Sequence, residues 1–250
     1  MRRATLLCLL GYAACSRPPL AEIDELFFDW DGSRVLCAAG LDDVSGNDRD
    51  SVESGLERAA DRGEVLSLYG HRPGGTVSLE RIEEVLITAG ELGLDYVTYP
   101  DLVAGGPARA GLSLSFDDAH IDEWFDMRQL LADHGARVTF FVTRFDRQSE
   151  ERRDKLRQLR ADGHSIEAHG LRHLDAPVFV EEHGLGAYME EEALPSIELL
   201  RDDGFDPVAF AYPFGARTGE LDDALLDEVE LVRSVSFSLE SPLVADPCPE

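Results

Sequence analysis

Positive charge is what this chain has least of. Lys and Arg total 23 against 50 Asp and Glu, a formal net charge of −27. Nucleic-acid binding is driven by counterions released when cationic side chains neutralise phosphates, and a chain this anionic has too few cations for it. The same excess repels anionic membrane surfaces and polyanionic substrates, and it favours solubility. Long apolar runs are missing as well. Beyond the first residues no stretch approaches the ~18 uninterrupted apolar positions of a spanning helix, so the mature chain reads as soluble or tethered. Cysteine is scarce, four in all, with no CxxC and no Cys/His cluster to suggest a structural zinc site. Internal repeats and low-complexity tracts are absent. With 44% hydrophobic residues, 250 residues can bury a full core, which excludes wholesale disorder.

Residues 1–20 read as an export leader and 21–250 as one domain. Arg2 and Arg3 give a positive start, 4–10 is a short apolar run, and Tyr12-Ala13-Ala14-Cys15 places small residues before a cysteine. That ending resembles the lipobox of bacterial lipoproteins, whose cysteine is lipidated, although Tyr12 stands where a smaller aliphatic residue is usual. An ordinary secretory signal is the other reading. Either implies export to the periplasm or outer cell envelope, with a lipid anchor at Cys15 as the one membrane attachment. Outside the leader only Cys37 and Cys248 remain, as one disulfide or as two buried thiols.

After the polar stretch 45–50 strand-like and helix-like patterns alternate. Strands are expected at 64–68, 96–99, 112–116, 138–142, 165–168, 208–212 and 231–237, and 35–39 is an apolar run. Helices are expected at 51–60, 79–92, 123–133 and 152–161, around Met189, Ala193, Ile197 and Leu200, and at 221–227. The 79–92 stripe of Leu79, Ile82, Val85, Leu86, Ala89 and Leu92 repeats at three and four, as on a helix lying against a core. Strand and helix repeated this often predict parallel pairing, and its closed form is a barrel with the active site at the carboxyl ends of the strands. Gly105-Gly106-Pro107 is too short a break to separate domains.

The chemically distinctive residues fall at those carboxyl ends. Asp117-Asp118 follows 112–116, His169 follows 165–168 with His173 four residues on, Tyr212-Pro213-Phe214-Gly215 follows the strand at 208, and His71 follows 64–68. Taken singly, an Asp-Asp pair at a strand end is a turn or a helix cap and a Tyr-Pro-x-Gly segment is a turn. A shared barrel rim changes this, because two acids and three histidines then meet on one face. One Asp and two His make a three-ligand set that leaves a divalent metal an open position, and the second carboxylate is free to act as a base.

Ser115-Phe116-Asp117-Asp118, His169-Gly170-Leu171-Arg172-His173 and Tyr212-Pro213-Phe214-Gly215 resemble the first three motifs of the polysaccharide deacetylases, the NodB-homology group or carbohydrate esterase family 4. The family patterns run roughly T-F-D-D, H-S/T-x-x-H and R-x-P-x-G. Gly170 replaces a hydroxyl residue, and Ala211 replaces the arginine that orients the base, leaving Arg172, Arg217 and Arg233 as substitutes. The two remaining family motifs lie upstream. Leu68-Tyr69-Gly70-His71 fits L-x-x-H, and Leu41-Asp42-Asp43-Val44 resembles the Asp-Trp motif with valine for tryptophan. The order is fourth, fifth, first, second, third. This is the circular permutation of the branch acting on poly-N-acetylglucosamine.

The resemblance implies an α/β fold, a distorted parallel (β/α)7 barrel, and a hydrolase that removes acetyl groups from a polysaccharide. It implies metal ligation by Asp118, His169 and His173, zinc being the expected ion. Asp117 is then the base, and His71 the acid, kept charged by Asp43 or by Asp42. Leu68 is expected to line the acetyl pocket, with Tyr212 and Phe214 contacting substrate and the Phe214 N–H facing the oxyanion. Two alternatives stay open: an O-acetyl esterase on xylan-like polymers, and a sugar-binding barrel without catalysis.

Overall fold

Seven short strands rich in aliphatic and aromatic residues close on themselves. They are β1 (Val35–Gly40), β2 (Val65–Gly70), β3 (Gly111–Asp118), β4 (Thr139–Val142), β5 (Ser165–Ala168), β6 (Ala209–Ala211) and β7 (Leu231–Val235). The computed structural model describes residues 18–236 and Cys248, so the leader reading of 1–17 and the expected strand residue Phe237 lie outside it. Each strand pairs in parallel with the next, and β7 returns to β1 from Val35↔Val232 to Ala38↔Val235. The result is a closed (β/α)7 barrel. Two-residue strands extend it, Phe27–Phe28 antiparallel on β2 and Asp95–Tyr96 on β3.

Strand alternation sorts the side chains into two layers. Leu66, Leu68, Leu112, Leu114, Phe116, Phe140, Val142, Phe210 and Val232 join the larger apolar cluster, which packs against the helices. Leu36, Val65, Phe141, Ala209, Ala211 and Leu231 form a separate inner cluster with Tyr99 and Leu102. The helix Leu79–Glu91 buries Ile82, Val85, Leu86 and Ala89, the face its periodicity requires, and Ser78 caps it by accepting from the Arg81 N–H. Asp48 and Ser149 cap Arg49–Arg62 and Glu150–Ala161 in the same way.

Four readings of the sequence need adjustment. Tyr99 does not end a strand but opens a helix, Tyr99–Ala104, because Thr98 and Asp101 form a capping box around Pro100. The helix expected at 123–133 is two, Ile121–Asp126 and Arg128–Asp133, divided at Met127. Ala176–His183 is a further helix, with Pro177 in its first turn. Leu20, assigned to the leader, belongs to the fold: it is fully buried, and its N–H donates to Ser51 Oγ at 3.0 Å. Cys37 is disulfide-bonded to Cys248, 211 residues on.

The acid excess has a thermodynamic consequence. The single lysine, Lys155, and many of the arginines find carboxylate partners, as Arg152 and Lys155 do on Asp122, but a net charge of −27 leaves acids in large excess. The Debye length falls from about 10 Å at 0.1 M salt to about 3 Å at 1 M, which screens long-range repulsion while contact pairs keep much of their attraction. Raising NaCl from about 0.1 M to about 2 M is expected to raise Tm by about 4–8 °C, equivalent to roughly 2 kcal/mol in a domain of this size. A melting temperature that falls with salt would mean that the ion pairs outweigh the net repulsion.

Candidate active site

The carboxyl ends of the strands surround a cavity of about 250 Å³ whose wall includes Asp42, Tyr69, His71, Asp117, Asp118, His120, His169, His173, Tyr212, Phe214 and Arg233. Asp117 and Asp118 are the last residues of β3. Asp118 has φ +84°, a left-handed conformation unusual outside glycine, and this turns its carboxylate away from the strand's alternation. Its Oδ1 lies 3.2 Å from His173 Nε2 and 3.8 Å from His169 Nε2, and the three ligating atoms all fall within 4.8 Å of one another.

These residues fit a divalent cation. The His169 Nδ1 sits 2.8 Å from the Ala211 carbonyl, to which it donates, so the Nε2 lone pair faces the cavity. Burial, only partly offset by Asp117 and Asp118, pushes the His169 pKa down to about 4, so the ring is neutral near pH 7. Asp118 is held below the usual carboxylate range: burial would raise it, but the hydrogen bond from His173 and the charges of the surrounding histidines prevail. Two imidazoles and an ionised carboxylate aimed at one point are the donor set of an open metal site.

Asp117 is 2% exposed and pairs through Oδ2 with Nη2 of Arg233, which is fully buried. Its Oδ1, equally buried, has no hydrogen-bond partner among the described residues. Of the three arginines considered from the sequence, Arg233 is therefore the one that reaches Asp117. Arg217 instead grips Asp222, and Arg172 reaches Glu191. Register explains the choice. Ala211 on β6 is the direct neighbour of Arg233 on β7, so the guanidinium missing at 211 enters the same layer from the adjoining strand. The rings of Tyr69 and Phe141 flank it at 5.0 and 5.1 Å.

His71 closes the other part of the wall. Its Nδ1 bonds Asp42 Oδ2, and Asp42 Oδ1 accepts from the His71 N–H at 3.2 Å and from Thr76 Oγ1 at 2.6 Å. Trp124 Nε1 donates to the His71 carbonyl at 2.9 Å. Burial alone would lower the His71 pKa, but the bond to Asp42 and the charges of Asp117, Asp42 and Asp118 raise it to about 9.

Two assignments change. The carboxylate on His71 is Asp42, not Asp43, which lies exposed at the start of the turn Asp43–Ser45. Leu68 does not line the cavity. It is fully buried in the helix-facing layer, and Tyr69 is the β2 residue on the cavity wall. Tyr212 and Phe214 do reach the wall, Phe214 with φ +61° and its ring 4.7 Å from His173. Gly215 is required there, since a Cβ would lie 2.4 Å from Val235 Cγ2. His120, unremarked in the sequence, stands 3.7 Å from Asp118 Oδ2.

The profile of the polysaccharide deacetylase family matches residues 105–229, half of the chain. The chain belongs to the polysaccharide deacetylase family. IcaB from Ammonifex degensii superposes with a TM-score of 0.55 at 20% identity, covering 71% of this chain and 84% of that one. The Streptococcus pyogenes deacetylase PplD gives a TM-score of 0.43 at 16% identity, covering 76% and 81%. Colletotrichum lindemuthianum chitin deacetylase gives 0.38 at 21% identity, covering 48% and 53%. No curated protein sequence matches. The family match begins after β2, so in this deacetylase Asp42 and His71 enter the cavity from strands that precede the matched region.

The register makes the arginine's relocation testable. Arg233→Ala leaves a buried carboxylate unpaired, a change that typically costs about 3–5 kcal/mol, and acetate release is expected to fall about 10²–10⁴-fold. Adding Ala211→Arg, which returns a guanidinium from the neighbouring strand, is expected to recover a large part of both losses. Steady-state kinetics and thermal melts check this. A double variant no better than Arg233→Ala would refute the exchange across the sheet.

Proposed function

We propose that this deacetylase is a metal-dependent hydrolase that removes N-acetyl groups from an N-acetylglucosamine-containing polysaccharide, releasing acetate. The observation that carries the reading is one cavity holding an open Asp118–His169–His173 donor set, a base with one free oxygen, and a histidine held protonated. Zinc is the ion this donor set suits best, and when bound it would polarise the acetyl carbonyl and acidify water. Asp117 Oδ1 takes the proton of the attacking water while Arg233 holds Oδ2, so the free oxygen stays aimed at the cavity. The Phe214 N–H, on the strained turn of the wall, supports the developing oxyanion.

His71 then delivers a proton to the amide nitrogen as the carbon–nitrogen bond breaks, leaving acetate and a free sugar amine. Amine expulsion requires that proton more than alkoxide expulsion does. A histidine raised to about 9 by Asp42 therefore favours amide over ester substrates. The inactive-barrel alternative loses its main support, since Arg233 stands in for the arginine absent at 211. We also propose export, with an anchor at Cys15 under the lipobox reading. Among the described residues no helix is long and apolar enough to cross a membrane.

Acetate release from N-acetylglucosamine oligomers is expected to cease after chelation and to return with zinc. Release from acetylated xylan alone would establish the esterase reading instead. Asp118→Asn is expected to weaken zinc affinity, with excess zinc restoring part of the rate, whereas Asp117→Asn stays metal-replete and about 10²–10⁴-fold slow. The pH profile separates the acid from both. His71 works protonated, so the rate falls as pH rises through its pKa. Asp42→Asn removes a charge that raises that pKa, and the alkaline limb is expected to move to lower pH. An alkaline limb that does not move would remove His71 from the role of acid.

A further inference from the structure

The loop that carries His173 is held from beneath by one carboxylate. Glu192 is fully buried, and its oxygens accept three consecutive backbone N–H groups: Oε2 from Arg172 at 2.8 Å, Oε1 from His173 at 2.8 Å and from Leu174 at 3.1 Å. Its own carbonyl accepts the Leu171 N–H at 3.2 Å. On the other side Thr143 Oγ1 donates to the Gly170 carbonyl at 2.9 Å. The loop needs this grip, because Gly170 (φ +76°) and His173 (φ +67°) both sit in the left-handed region, and for histidine that conformation persists only where the surroundings impose it.

Two further features belong to the same device. Glu192 lies in a π-helical turn, Met189–Ala193, set between Leu185–Tyr188 and Leu194–Asp202; such a turn inserts one residue and re-aims its neighbours. Position 170 favours glycine, because its φ is +76° and a Cβ there would stand 2.5 Å from Glu192 Oε1. The loop has no side chain at 170, and Glu192 ties it from the turn Met189–Ala193.

We infer that Glu192 is a positioning residue for the metal site, fixing His173 in its ligating pose through the N–H groups of residues 172–174. The inference rests on the metal-site reading above. Glutamine at 192 supplies one acceptor oxygen where two are needed and turns an N–H donor toward the loop.

The test compares wild type, Glu192→Gln and Glu192→Ala by chelator competition for zinc and by the visible spectrum of the cobalt(II) form, with melts recorded alongside. Leu159→Ala, a core truncation on another helix, serves as a destabilised control. Both Glu192 variants are expected to bind zinc about 10–100-fold more weakly, the usual loss when the support of a ligand is removed, with an altered cobalt spectrum. The control is expected to melt earlier with unchanged affinity and spectrum. Folded Glu192 variants with wild-type affinity and spectrum would overturn the inference and leave the metal site intact. A wild type that holds no metal would instead overturn the reading on which it rests.

Discussion

Arg233 and Asp117 are a buried arginine and a buried aspartate facing each other inside a parallel barrel. Taking two such charges out of water costs more than their attraction returns unless the geometry fixes both. Here the register between β6 and β7, the rings of Tyr69 and Phe141, and the closed sheet all hold the guanidinium in place. The arginine is further stabilised as a cation: burial would lower its pKa, but Asp117, Tyr99 and Tyr69 together raise it. From that pair follows the free Oδ1 of Asp117. The mouth of the barrel is left as the place where charge can be handled.

Within that mouth the environment separates histidines of one chemical type. His169, enclosed and bonded to a backbone carbonyl, is pushed down to about 4 and offers a lone pair. His71, beside Asp42 and within the field of two more carboxylates, is raised to about 9 and offers a proton. The two rings thus differ by what lies behind each, a carbonyl in one case and a carboxylate in the other.

The parts of this site that were legible in the sequence are those set by local order along the chain. Asp118, His169 and His173 follow strands whose patterns are plain, and parallel closure brings their ends together without further information. What was not legible depends on faces and on distant partners. Asp42 and Asp43 are adjacent, and the one that turns inward is decided by Thr76 and His71, far along the chain. Leu68 could have been read correctly. On a strand, a residue three before His71 faces the opposite side, whereas Tyr69, two before, shares its face. Glu192 gave no signal, because its role depends on a π-helical turn and on backbone groups of another segment.

The seam of the barrel bears on how the chain comes into being. β7 is the last of the seven strands to be made, yet it lies between β6 and β1, the first, and it carries Arg233. Until it arrives, β1 and β6 present open edges, and Asp117 has no guanidinium to hold it. A chain still being made therefore completes Asp118, His169 and His173 before it has Arg233, the cation that pairs with Asp117. Closure of the barrel and the pairing of Asp117 with Arg233 fall on the same strand, β7.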